Sequence, residues 1–139
     1  MSLFNAFKAA GSAMQAQTQR LNTVASNMAN VETASNNPDD VYKARKVVFQ
    51  AELDKAAPGQ AAVAKGVNVK EVVTTNAEAR KVYDPKHPMA DDEGYIYMPD
   101  INAVEEMVDM MAASRNYQTN AEVMNTAKSL MLKTINMGQ

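Results

Sequence analysis

Cysteine and tryptophan are absent from the 139 residues, and there is one histidine. The first absence removes disulfides, thiol nucleophiles and Cys-ligated metals. A single histidine removes multi-His metal sites and leaves little room for a Ser-His-Asp relay. Aromatics make up 6% of the chain, and Leu, Ile, Val and Phe number only 25 against 23 Ala and 11 Met. So small a share of large apolar residues is poor for a self-sufficient globule, while a net charge of −2 argues against simple disorder. Such a chain is expected to complete its core with other chains. Fourteen Lys and Arg against sixteen Asp and Glu give no basic field for nucleic acid. No run of 18 apolar residues occurs, which excludes a transmembrane helix, and polar interruptions in MSLFNAFKAAGSAMQAQTQRL exclude a secretory signal.

What is present falls into three regions. In residues 1–31, Leu3, Phe7, Ala10, Met14, Gln17, Leu21, Val24, Met28 and Val31 recur at alternating steps of four and three. That is the a/d seam of a coiled coil over a helix about 45 Å long, with Ser2 as N-cap and Gln17 as one polar seam position. Its other faces carry Gln, Asn, Ser and Thr with little charge, which suits neutral contact with neighbouring helices. In residues 101–137, Met107, Met110, Tyr117, Ala121, Met124, Met131 and Ile135 form a second seam, interrupted by Ser114 and Lys128. Asn102 and Glu105 resemble a capping box, acids start the helix, and Lys128 and Lys133 end it, as the helix dipole favours. Its length would be about 55 Å, with Gly138 as the stop.

Residues 32–100 are dense in turn chemistry at 36–40, Pro58-Gly59, Asp84-Pro85 and Pro88. Between the turns lie β-prone runs at 41–42, 47–49, 67–73, 81–83 and 95–98. Val67, Val69 and Val73 share one parity, as in a half-buried strand, and 56–66 reads as a loop. The expected fold class is therefore α+β, mainly α. Two long terminal helices form an antiparallel coiled coil (domain 1–31 with 101–139), and a small β-hairpin insert occupies 32–100.

Chemistry-bearing candidates are few. His87, set between Pro85 and Pro88, could be a base or ligand, but a loop histidine is the favoured reading. Asp91-Asp92-Glu93 lacks the alternating oxygen ligands of a calcium loop and reads as a solvated turn. Lys43, Arg45 and Lys46 could meet an anionic polymer, but read better as the guarded edge of a strand. The six Met of 101–137 suit either a helix-binding surface or a core. No phosphate loop, nucleophile elbow or paired-carboxylate site is found. Neither catalytic residues, cofactor nor metal is expected.

Two segments are specific. Ser26-Asn27-Met28-Ala29-Asn30-Val31-Glu32-Thr33 resembles the Asn-rich motif closing the first helix of the bacterial flagellar rod and hook proteins. Met110 to Thr126, with Ser114-Arg115-Asn116-Tyr117-Gln118-Thr119-Asn120 at its centre, resembles that family's second-helix signature. Residues 42–50 and 82–99, and the small insert, are similar to the proximal rod members. The resemblance implies a structural subunit of the rod, the hollow shaft that crosses the periplasm and transmits torque to the hook. It implies partners in other copies and other rod proteins, and passage through the flagellar type III export apparatus without signal cleavage. The residues expected at assembly contacts are Leu3, Phe7, Met14, Leu21, Val24, Asn27, Met28 and Asn30 in the first helix, and Met107, Met110, Arg115, Tyr117, Met124, Met131 and Ile135 in the second. Two other classes stay open: a cytosolic coiled-coil adaptor working through its Met-rich helix, and a small enzyme using His87.

Overall fold

A computed structural model describes residues 3–53 and 64–137. Helix α1 spans Leu3–Ala29, strands β1 and β2 span Arg45–Leu53 and Ala64–Thr74, β3 and β4 span Arg80–Tyr83 and Tyr95–Met98, and α2 spans Ala103–Asn136. The α+β, mainly helical composition is as expected. The Ser2 cap, the Gly138 stop, the Pro58-Gly59 turn and most of the 56–66 loop lie outside the described residues. Residues 64–66 of that loop already belong to β2.

Helix α1 ends two residues earlier than its apolar period. The Asn30 side chain donates to the Ser26 carbonyl and the Asn30 amide bonds back to Asn27, so the chain turns and Val31 leaves the helix. At the start of α2, Asn102 caps the helix as expected, but its Oδ1 accepts from the Val104 amide at 3.0 Å, one residue short of the Glu105 amide that a capping box would use. Glu105 and Glu106 occupy its first turn and Lys133 its last, matching the dipole.

The helices run antiparallel. Arg20 pairs with Asp109 at one end, Gly11 lies by Met124 further along, and Leu3 and Ala6 line one groove with Val123 and Ala127 at the other end. The stripe of α2 that meets α1 is centred on Glu106, Ala113 and Ala127, at 9%, 0% and 4% exposure. This departs from the methionine-phased seam. Met110, Met124 and Met131 flank the stripe half-buried, whereas Met107 and Ile135 face outward. Alanine at the contact lets two helix backbones approach closely, so small residues take the centre and long ones the flanks.

Helix α1 is buried on two sides, which its single-seam reading does not include. One side meets α2. The other, carrying Ser12, Ala16, Thr23 and Asn27, meets the β1–β2 hairpin. The neutral face expected to meet neighbouring helices is thus partly taken by the chain's own strands. The hairpin lies along α1: Arg45 sits by Asn27, and the Val67 amide donates to Ser12 Oγ at 3.0 Å. At Gly66 a Cβ would displace the Ser12 hydroxyl that the Val67 amide bonds to.

β1 and β2 pair antiparallel, with shifts between Val48 and Phe49 and between Glu52 and Leu53. The first shift leaves Lys70 as an extra residue. It flips the alternation, so Val72, not Val73, shares the face of Val67 and Val69. The parity expected of Val73 therefore fails at the bulge. β3 and β4 form a second two-stranded sheet, and Ser35 bridges to Tyr97 on its far edge. Val41, Ile96 and Pro99 are buried in this part of the chain. Val41 is extended and, with Tyr42, lies outside the strands, leading into β1 from a turn at Pro38–Asp40.

Candidate assembly surface

The Asn-rich end of α1 is a clamp. Asn27 is 1% exposed, and its amide group mimics a strand neighbour. Its Nδ2 donates to the Arg45 carbonyl at 2.9 Å, while its Oδ1 accepts from the Arg45 amide at 3.0 Å and from the Tyr42 hydroxyl at 3.0 Å. Only a carboxamide can serve both a C=O and an N–H of one residue in this way. The clamp fixes where β1 leaves α1 and hence how the hairpin lies along the helix.

A second tie joins α1 to α2. Arg20 donates to Asp109 Oδ1 at 2.7 Å, both side chains being partly exposed. Beside it lies a cavity of about 220 Å³, walled by α1, β1 and the start of α2. Among the described residues, Gln17 Oε1 and Glu106 Oε2 are buried acceptors without a hydrogen-bond partner.

The turn residues considered for chemistry serve the turns. His87 Nδ1 accepts from the Met89 amide at 3.1 Å. Asp91 Oδ1 accepts from the Tyr95 and Glu93 amides at 2.8 and 3.0 Å. The Tyr95 amide is the main cause that holds the Asp91 carboxyl below its usual range. Burial opposes this, and the Glu93 amide, Lys81 and the Tyr97 hydroxyl assist. Gly94 closes the turn at φ +83°, where a Cβ would stand 3.1 Å from both Pro85 and Tyr83.

The expected contact residues divide by exposure. Val24 and Asn27 are buried inside the chain; Phe7, Met14, Leu21, Met28, Asn30, Met110, Met124 and Met131 are half-buried; Leu3, Met107, Arg115, Tyr117 and Ile135 are exposed. Asn27 therefore has no surface to offer a neighbour, and its role in one subunit is internal. The outward side of α2 holds a second apolar stripe. Val104, Met107, Val108 and Met111 recur at helical spacing with exposures of 66%, 46%, 54% and 65%. Leu132 and Ile135 extend exposed apolar surface to its end. Sequence reasoning missed Ser12, Arg20, Tyr42, Gly66, Glu106 and Asp109. Phasing α2 on Ala103, Ala113 and Ala127 instead of on methionine would have brought Glu106 into the contact.

Residues 7–37, spanning the Asn27 clamp, match the model for the flagella basal body rod protein family. Residues 92–137, spanning α2, match the flagellar basal body rod FlgEFG protein C-terminal family. Over all 139 residues of both chains, the sequence is 49% identical to the flagellar basal-body rod protein FlgC of Escherichia coli O6:H1 and 49% to that of Salmonella typhimurium. The FlgC protein of Buchnera aphidicola subsp. Baizongia pistaciae is 30% identical, again over the full length of both. The chain belongs to the flagellar basal-body rod protein FlgC family. A structural place in the rod follows from that membership, and the adaptor reading is not favoured. In FlgC-family terms, the first-helix motif contains an internal clamp, and the second-helix signature lies on a helix with apolar surface on two sides.

Proposed function

We propose that this chain works mechanically, as a proximal rod subunit that repeats helically with other copies and other rod proteins into a hollow shaft transmitting torque to the hook. The carrying observation is the outward stripe Val104, Met107, Val108 and Met111 on a helix already packed against α1. A helix apolar on two sides is at home buried among neighbours, not in water. The exposed members of the expected contact set, Leu3, Met107, Arg115, Tyr117 and Ile135, supply the inter-subunit contacts in this reading. The half-buried ones support the helix pair from within, and the helices supercoil as a coiled coil once neighbours close on them. The terminal helices act as one assembly domain and residues 32–100 as the insert. The subunit resides in the rod where it crosses the periplasm. It arrives through the flagellar type III export apparatus without signal cleavage, and it has no catalytic role. Among the described residues no helix is long and apolar enough to cross a membrane.

The test is complementation. A motile strain deleted for its own FlgC and given this chain regains swimming. Met107→Asp in the same chain, which loads the outward stripe with a charge, abolishes it at equal expression. Normal swimming by Met107→Asp would remove the stripe from the interface.

A further inference from the structure

We propose that Met107 and Met111 form a paired oxidation site, and that their conversion to sulfoxides by a hydroperoxide bars the subunit from assembly while leaving its fold intact. The inference rests on the rod reading above and adds a modification to the stripe that carries it.

It starts from the sulfur inventory. The sequence holds eleven methionines and no cysteine, so a two-electron oxidant meets thioethers and no thiol in this chain. Which of them react first is a matter of access. Among the described residues, Met89, Met107, Met111 and Met137 are exposed, by 43%, 46%, 65% and 82%. Met14, Met28, Met98, Met110, Met124 and Met131 are half-buried. Met98 also uses its sulfur, which accepts from the Arg80 guanidinium at 3.9 Å.

The four exposed sulfurs differ in their setting. Met89 lies in the turn after His87, and Met137 caps the end of α2. Met107 and Met111 are four residues apart on one face of α2, in the outward stripe with Val104 and Val108. Neither takes part in the centre of the α1 contact, which is Glu106, Ala113 and Ala127. A change at these two side chains therefore falls on the face turned to neighbours, not on the packing that holds the subunit together.

The chemistry is an oxygen transfer. A lone pair on the thioether sulfur attacks one oxygen of the hydroperoxide, an S–O bond forms, and the O–O bond breaks with its electrons on the departing oxygen. The proton of the transferred hydroxyl follows, so hydrogen peroxide yields one sulfoxide and one water. Sulfur is oxidised by two electrons and the peroxide is reduced by two. A flexible apolar side chain becomes a polar acceptor. Water solvates that acceptor in the free subunit. Under a neighbour's apolar surface it loses water without gaining a partner, which opposes the contact.

The experiment uses a strain in which this chain is the only FlgC. Hydrogen peroxide is given to the growing culture, and sulfoxide at each methionine is read by mass spectrometry. Chains outside the basal bodies should carry it at Met107 and Met111, and chains in purified basal bodies should be depleted of it at both. Met107→Gln/Met111→Gln makes the stripe polar without oxidant. It should abolish swarming and leave urea unfolding of the purified chain unchanged, whereas Met107→Leu/Met111→Leu should swarm. Equal sulfoxide in the two pools, swarming by the Gln pair, a shifted unfolding midpoint in the Gln pair, or loss of swarming in the Leu pair would each overturn the oxidation site. With Met107→Asp still immotile, any of these results overturns that site alone. Basal bodies that exclude the wild-type chain would overturn the rod reading beneath it.

Discussion

Asn27→Ala should destabilise the subunit more than any other polar truncation in α1. The side chain is 1% exposed and makes three hydrogen bonds of 2.9, 3.0 and 3.0 Å to two residues of the segment that enters β1. A buried partner left unsatisfied costs about 1–3 kcal/mol. Three groups lose their partner here: the Arg45 amide, the Arg45 carbonyl and the Tyr42 hydroxyl. The Arg45 side chain is exposed and Tyr42 half-buried, so water can reach part of the vacated site. The net loss should therefore be about 2–4 kcal/mol, well below the full sum. At about 1.4 kcal/mol per decade, this corresponds to roughly thirty- to thousand-fold faster opening of the clamp. Amide exchange at Arg45 reads it directly, and urea unfolding reads the global part. Asn30→Ala is the control, since its one side-chain bond lies within its own helix end. Equal Arg45 exchange in wild type and Asn27→Ala would refute the clamp.

Ala113→Leu should cost about 1–3 kcal/mol by overpacking, because Ala113 has 0% exposure at the α1–α2 contact; urea unfolding of the purified chain checks this. Gly94→Ala should cost about 1–2 kcal/mol, since φ is +83° and the new Cβ would press on Pro85 and Tyr83. The expected readout is faster exchange of the Asp84 amide, which bonds to the Gly94 carbonyl. Asp91 gives a pH effect. Its folded pKa is lowered, chiefly by the Tyr95 amide, so its contribution is complete above the ordinary carboxyl value of about 3.9 and is lost as pH falls through the lower folded value. Tyr95 amide exchange should rise over that acid window in the wild type and show no such step in Asp91→Asn.

The two helices, their ends within two residues at the start of α2 and the end of α1, and the antiparallel hairpins were legible because turn residues and caps mark them strongly. Asn102 is an example: its side chain has a local partner in Val104. The phase of α2 was not legible. Its methionines and alanines lie on several faces, and weighting by size puts the seam on Met107 when packing puts it on Ala113. The second buried side of α1 was hidden for a related reason. Ser12, Thr23 and Asn27 look like solvent residues until a strand supplies their partners. The Lys70 bulge carries no local signal such as glycine, so the Val67, Val69 and Val73 parity misled. Asn27 was singled out by resemblance, but resemblance did not say that its bonds close within one chain.

The most direct measurement of the account is an image of the assembled rod fine enough to trace side chains. It should place this chain in the rod with Asn27 still bonded to Arg45 inside each subunit, and with Val104, Met107, Val108 and Met111 covered by neighbouring subunits. A rod in which that stripe faces open solvent, or in which this chain has no place, would contradict it.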